Sequence, residues 1–191
     1  MGDRLLKKIK SGFGMDEDLK RFYELYTRRR SVRRFLDKEI EDEKLKRLFD
    51  VLRRAQSAAN RQPWHFIVVR RRDHGELFSK VFTRGGFEGA SVAIVACAEP
   101  GKAWVRKADS RNYAWVDVTI AITEMIGAAT AEGIGTCWVA AIDPAEVKRL
   151  LCIPGEIEVV GIIAMGYPAE PLRREEKNRK PVEEIIHYGR W

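Results

Sequence analysis

The sequence predicts one α+β domain built on a mixed sheet flanked by helices, and three observations carry that reading. The chain has 191 residues, 45% of them hydrophobic and 33% charged, the size and composition of one ordinary globular domain. Short apolar or β-branched runs alternate with longer stretches of helical period, the pattern of strands packed against helices. The spacings between them are irregular, which argues for a mixed sheet over a regular doubly wound one. No internal repeat, low-complexity stretch or linker divides residues 15–191, and residues 1–14 read as a separate basic extension.

Residues 1–14 set Leu5, Leu6 and Ile9 among Arg4, Lys7, Lys8 and Lys10. That is the pattern of a short basic amphipathic helix, read either as a membrane-surface anchor or as a loosely held terminus. It lacks the apolar core of a signal peptide. From Asp16 onward, Leu19, Phe22, Tyr23 and Tyr26 recur at helical spacing and predict a helix ending near the arginine run. Leu45, Leu48, Phe49 and Leu52 predict a second, which stops by Ser57 and has Glu41, Asp42 and Glu43 at its electropositive N-terminus. After Asn60-Arg61-Gln62-Pro63, the run His65 to Val69 reads as a strand. Gly75 to Phe82 reads as a short helix, and Ala90 to Ala98 as a buried strand closed by Pro100 and Gly101.

The alanine-rich stretch from Asn112 to Glu132 is apolar on most faces and predicts the buried central helix, stopped by Gly133 or Gly135. Thr136 to Ala141 reads as a strand. In Asp143-Pro144-Ala145-Glu146 the aspartate is expected as N-cap, the proline as first helical residue and the glutamate as reciprocal cap, for a helix reaching Leu151. Glu156 to Met165 predicts the last strand, ended by Gly166-Tyr167-Pro168, and the remaining tail is polar and basic.

Lysine and arginine total 35 against 28 acidic residues, a net charge of +7. A phosphate-bearing partner therefore has to be considered, whether nucleic acid, anionic membrane or small cofactor. Residues 1–54 hold 17 basic and 11 acidic residues, most of that surplus. Cys97, Cys137 and Cys152 make no C-x-x-C spacing and have no paired histidines nearby. Neither a zinc site nor a disulfide framework is expected, and a reducing cytoplasm is the simplest compartment. The longest apolar stretch, Ala114 to Ile142, is broken by Asp117, Glu124 and Glu132, which argues against a membrane span. Three asparagines and two glutamines beside many Lys, Arg and Glu give the bias of hyperthermophile proteins.

Three segments carry candidate chemistry. Arg28 to Arg34 packs five arginines around Ser31; rigid guanidinium forks and a hydroxyl suit a phosphomonoester, and a solvated basic turn is the alternative. Gln56 to Trp64 is a loop with three amide side chains, whose paired donors and acceptors complement a flat heterocycle, or which simply ends the helix and makes the turn. Gly133-Ile134-Gly135-Thr136-Cys137-Trp138-Val139-Ala140-Ala141 joins the buried helix to a strand. Its small residues leave room for a planar ligand, its two glycines suit a helix C-cap, and it matches no complete phosphate-loop signature. His65, His74 and His187 are scattered and read as structural or solvated.

In order and spacing these segments resemble the FMN-dependent nitroreductase family. The matching elements are Arg29-Arg30-Ser31-Val32-Arg33, Ser57-x-x-Asn60-x-Gln62-Pro63-Trp64-x-Phe66, Gly133-Ile134-Gly135-Thr136-x-Trp138, Gly161 to Pro168, and Arg179-Lys180-Pro181-Val182-Glu183-Glu184. The resemblance covers nearly all of residues 20–188. It implies a homodimer with FMN at the subunit interface, reduced by NADH or NADPH and reoxidised by a small electron-poor acceptor in a ping-pong cycle. By the same resemblance Arg29, Arg30 and Ser31 hold the FMN phosphate, Arg33 lies near the pyrimidine edge, and Arg179 closes over the phosphate. Ser57, Asn60 and Gln62 come from the partner's loop, while Trp138, Val139 and Ala140 line the isoalloxazine, with a backbone N–H near Val139 or Ala140 facing N5. The family often has an acidic residue and a glycine where this chain has Ala140 and Ala141, and its asparagine ahead of the middle strand has no clear match.

The physics of the residues agrees with this. Arginines and a serine neutralise and orient a phosphate, and a cation beside the pyrimidine edge stabilises anionic reduced flavin. Direct hydride transfer needs no side-chain nucleophile, so no catalytic residue and no metal are expected. Two other readings compete: the same fold running dehalogenation or flavin fragmentation, and a nucleic-acid module built on Arg28 to Arg34 with Arg70-Arg71-Arg72. Against the latter, the aromatic residues do not interleave with the arginines as stacking platforms would.

Overall fold

The computed structural model describes residues 16–82, 87, 89–174 and 176–191; the basic extension expected at residues 1–14 lies outside the described residues. By its contacts the chain divides into two compact units, Arg29–Leu172 and the paired terminal segments Met1–Arg28 and Arg173–Trp191. The terminal unit holds helix α1, Glu17–Arg28, where the spacing of Leu19, Phe22, Tyr23 and Tyr26 predicts it. Glu17 and Asp18 in its first turn and Arg28 in its last both match the helix dipole. Phe22 packs edge-on against Tyr23 and Tyr26, with ring centres 5.7 and 5.3 Å away, and Lys177 donates to the Tyr26 carbonyl.

The larger unit carries, among the described residues, helices α2 (Asp42–Arg54), α3 (Gly75–Val81), α4 (Ala114–Ala131) and α5 (Pro144–Leu151). Its strands are β1 (Trp64–Arg70), β2 (Val92–Ala98), β3 (Val105–Arg106), β4 (Arg111–Asn112), β5 (Gly135–Val139) and β6 (Glu158–Gly166). Four of them form a sheet in the order β1-β2-β6-β5, every neighbouring pair antiparallel. The parallel element is a bridge between Ser31 and Thr136 on the β5 edge. The fold is thus α+β, as the alternation of segments predicts.

β2 is apolar at every position and buried along its length, so it lies inside the sheet. Its side chains alternate between two cores, as the strand period requires. Val92, Ile94, Ala96 and Ala98 meet Leu45, Leu48 and Leu52 of α2 and Val118, Ala121, Ile122 and Met125 of α4. Ala93, Val95 and Cys97 face the other way, into a core shared with Phe78 of α3 and Val147 of α5. By length and composition α4 could cross a membrane; its buried residues make it the core helix of this unit instead.

The termini of these elements follow local chemistry. Gly133, at φ +76°, ends α4. Asp143 caps α5, its carboxylate accepting from the amides of Ala145 at 3.0 Å and Glu146 at 3.2 Å, with Pro144 following. The expected reciprocal cap does not form, because Glu146 pairs with Arg149 at 2.6 and 2.9 Å, and a bidentate charged partner outcompetes one amide. β5 ends at Val139, two residues before the predicted boundary. The β3–β4 hairpin was not predicted: two-residue strands around Lys107 to Ser110 have no apolar alternation to reveal them.

At the exit of β6 a polar cluster ties three elements together. The Tyr167 hydroxyl donates to the Glu41 carboxylate and accepts from Lys44 Nζ at 2.9 Å. Lys44 also donates to the Glu132 carbonyl at 3.0 Å, and Arg47 forks the Glu132 carboxylate at 2.5 and 2.9 Å. The start of α2 is thereby fixed to the end of β6 and to the C-terminus of α4. The hydrogen bond from Tyr167, then one from the Glu41 backbone and the charges of Lys44 and Lys38, hold the Glu41 carboxyl below its ordinary value. Arg47 does the same first for Glu132, with Lys44 adding to it.

Both carboxyls therefore take up protons more readily in the unfolded chain. Their contribution to stability is complete above the ordinary value of 4.5 and is lost as pH falls through the lower folded values. Urea midpoints are expected to stay level from about pH 6 to about pH 5 and to fall below that. Tyr167→Phe is expected to lower the plateau and make the descent shallower.

Candidate functional site

Ahead of α2 the chain meets the β5 edge at Thr136 and then pairs with the residues that follow β6, held mainly by backbone hydrogen bonds. Val32 N donates to Thr136 O at 2.8 Å, Leu36 N to Tyr167 O at 2.8 Å, and Ala169 N to Arg34 O at 2.9 Å. Phe35 bridges to Pro168. Alternation along this segment buries Val32 and leaves Ser31 and Arg33 exposed on the other side, and Arg34 is exposed as well. Gly135 makes the close approach possible: a β-carbon there would stand 2.9 Å from a Val32 methyl.

The arginines of this segment differ in their partners. Arg30 Nη2 lies 3.8 Å and Arg34 Nη2 3.5 Å from the Glu170 carboxylate, and Arg30 also donates to the Glu170 carbonyl at 3.4 Å. Arg29 and Arg33 make no ion pair among the described residues. By contrast Arg70, Arg71 and Arg72 pair with Asp42 and Asp37, Arg70 at 2.6 Å, so that second basic stretch is neutralised locally. Ser31 and Arg33 stand beside Cys137 of β5. Burial pushes the Cys137 thiol up, and the Arg33 charge and a hydrogen bond from Ser31 partly offset it.

On β5 itself Trp138 is half-buried, Val139 buried and Ala140, just past the strand, exposed. A β-carbon at Gly161 would come within 2.8 Å of the Trp138 indole nitrogen, so the glycine lets the ring lie against β6. Pairing between β2 and β6 slips next to Gly161, a bulge of the kind found beside working sites.

The amide loop is built differently. Ser57 Oγ accepts from Gln62 N at 3.0 Å, and Gln62 Nε2 donates to the Asn60 carbonyl at 3.2 Å and to Asn60 Oδ1 at 3.0 Å. Ala58 N donates to Asp117 Oδ1 of α4 at 2.9 Å. Ala59, Asn60 and Gln62 all take positive φ, at 51°, 53° and 50°. For Ala59 and Gln62 that costs about 1–3 kcal/mol each, and such strain persists only where the surroundings enforce it.

The structure therefore gathers Arg29, Arg30, Ser31, Arg33, Trp138, Val139 and Ala140 along the β5 edge. It leaves Ser57, Asn60 and Gln62 ahead of β1, at the opposite edge. Trp64 is level with Ala98 and Glu158, whereas Thr136 is level with Met165. With strands about 4.8 Å apart and residues about 3.3 Å along each, the two groups of one chain stand roughly 25 Å apart. Arg179 belongs to the terminal unit, where it donates to the Asn178 carbonyl at 2.8 Å. A cleft of about 390 Å³ opens by His65, Glu99, Lys102 and the end of α5, and none of the predicted site residues lines it. Sequence reasoning missed Glu170, which bridges two arginines, and the anchoring role of Asp117. An acid on the buried side of an apolar helix was the available signal for the second.

Four antiparallel strands with an arginine segment at one edge and a strained amide loop at the other make an α+β domain. The nitroreductase family model matches residues 26–84 and 75–167, and the chain belongs to the nitroreductase family. It is 36% identical over 184 residues to a protein of Archaeoglobus fulgidus provisionally named NADH dehydrogenase/NAD(P)H nitroreductase, covering 93% of this chain and all of that one. It is 26% identical to the FMN reductase [NAD(P)H] of Bacillus subtilis, over 84% of this chain and 70% of that protein. A nitroreductase family crystal structure from Clostridium difficile 630 superposes with a TM-score of 0.80 at 31% identity, covering 88% of this chain and 98% of the other.

Gly135→Ala is expected to destabilise the protein by about 1–3 kcal/mol, since the Val32 side chain has to give way. Combining it with Val32→Ala should recover part of that loss in a urea double-mutant cycle, which reads the coupling between the arginine segment and β5 directly.

Proposed function

We propose that this chain is an FMN-dependent NAD(P)H oxidoreductase acting in the cytoplasm as a homodimer, passing reducing equivalents to a small electron-poor acceptor in two alternating half-reactions. One observation carries the reading: phosphate-type donors lie along one sheet edge and heterocycle-type amides at the other, roughly 25 Å away by strand geometry. A flavin held by both sets needs two copies of the chain.

The donor set fits the group. Arg29 and Arg33 have no ion-pair partner among the described residues, and Arg30 and Arg34 share one carboxylate, Glu170. Arg29 and Arg33 thus bring two guanidinium groups without an ion pair among the described residues to the stretch around the Ser31 hydroxyl, matched to a doubly charged phosphate. Arg29, Arg30 and Ser31 would hold the phosphate. Arg33 would face the pyrimidine edge, where a fixed cation favours the anionic reduced ring. Trp138, Val139 and Ala140 would line the ring and exclude water. Asn60 and Gln62 of a second copy, their amides already set by the strained loop, would complete the polar edge. FMN held by these residues would supply hydride transfer between NAD(P)H and the acceptor. The protein's own work is binding, orientation and desolvation.

The visible spectrum of the purified protein tests this: a flavin absorbance is expected, with heat-released FMN and bleaching by NADH or NADPH under anaerobic conditions. A colourless protein whose absorbance and melting temperature ignore added FMN contradicts it. Arg29→Ala is expected to weaken FMN binding about ten- to a hundredfold, the effect of one charged hydrogen bond. It should barely change the urea midpoint, since Arg29 has no ion pair among the described residues to lose.

A further inference from the structure

We propose that Asp117 is the positioning residue for the amide loop, held in the core for the sake of flavin binding and not of fold stability; this rests on the flavin reading above. Asp117 lies on α4 at 1% exposure, beside Ala114, Val118 and Ala121. Its Oδ1 accepts from Ala58 N at 2.9 Å, while its Oδ2 is buried with no hydrogen-bond partner among the described residues. A buried carboxylate with one unsatisfied oxygen weakens a core. Its presence calls for a reason other than packing.

The reason lies in the turn that begins at Ala58. Residues Ala58–Asn60 form one 3-10 turn, and Ser57 occupies its cap position without making a cap bond. The Ser57 hydroxyl oxygen is taken by the amide of Gln62 instead. Asp117 supplies from α4 the cap that Ser57 does not. This single bond fixes the turn to the central helix and frees Ser57 to fold Gln62 back over Asn60. Ala59, Asn60 and Gln62 all hold positive φ and none is glycine, so the loop would relax without its anchors. With Asp117 in place, the Asn60 and Gln62 amides keep one arrangement before any ligand arrives, and the ordering is not charged against binding.

The test compares full-length wild type, Asp117→Ala and Asp117→Asn. FMN affinity is read by quenching of flavin fluorescence, and thermal midpoints are taken on the flavin-free proteins. Asp117→Ala is expected to keep or raise the flavin-free midpoint while weakening FMN binding by about tenfold or more. Asp117→Asn keeps an oxygen for Ala58 N in nearly the same volume, so it should restore affinity to within about threefold of wild type. The proposal is overturned if Asp117→Ala binds FMN within that margin, or if midpoint and affinity fall together in both variants. A wild type that binds no FMN overturns the flavin reading instead. In that case hydrogen exchange at the Asn60 and Gln62 amides still decides the anchor: faster in Asp117→Ala alone supports it, and unchanged exchange contradicts it.

Discussion

The width of the antiparallel sheet limits what one copy of this chain can do. β2 and β6 are buried between two cores and stand between β1 and β5, so the amide loop ahead of β1 and the Ser31 segment beside β5 are separated by the width of the sheet. The register adds distance along the strands, since the amide loop enters at the Ala98 end and the arginine segment lies at the Met165 end. Two groups of residues with complementary chemistry are thus held rigidly apart by the best-packed part of the fold. The proposed dimeric site follows from that separation.

The two halves are fixed by different means. The arginine segment is laid down by backbone bonds to Thr136, Tyr167 and Ala169, with Val32 seated against Gly135. Its placement rests on the backbone, and Arg29 and Arg33 make no ion pair among the described residues. The polar cluster of Glu41, Tyr167, Lys44, Glu132 and Arg47 braces the same region from behind. In the amide loop, side chains do the holding: Ser57, Asn60, Gln62 and Asp117 fix each other or the backbone in a strained path. One half is therefore stiff through the sheet and the other through local hydrogen bonds, which makes the loop the more sensitive to single substitutions.

Most elements were legible because their residues obey one period. The unbroken apolar run of β2, the i, i+3, i+4 leucines of α2 and the Asp143-Pro144 start of α5 each left a local mark that the fold keeps. The arginine cluster and the amide loop stood out by composition and supplied the candidate site residues, and the order of motifs pointed to the family. What stayed hidden depends on tertiary contact. Glu146 fits a reciprocal cap by spacing but found Arg149. The hairpin at Val105–Asn112 has strands too short to show alternation. Asp117 read as a charge interrupting an apolar helix, and its bond to Ala58, 59 residues away in sequence, was invisible before folding.

Complementation between two defective copies tests the central claim most directly. One variant, Arg29→Ala with Arg30→Ala, lacks the phosphate half; the other, Asn60→Ala with Gln62→Ala, lacks the amide half. Alone, each should bind little FMN. Unfolded together and refolded as a mixture, half of the dimers pair unlike copies, and each such dimer regains one intact site of its two. FMN binding at roughly a quarter of all sites is the predicted result. A mixture that binds no more than the separate variants would contradict a site assembled from two chains.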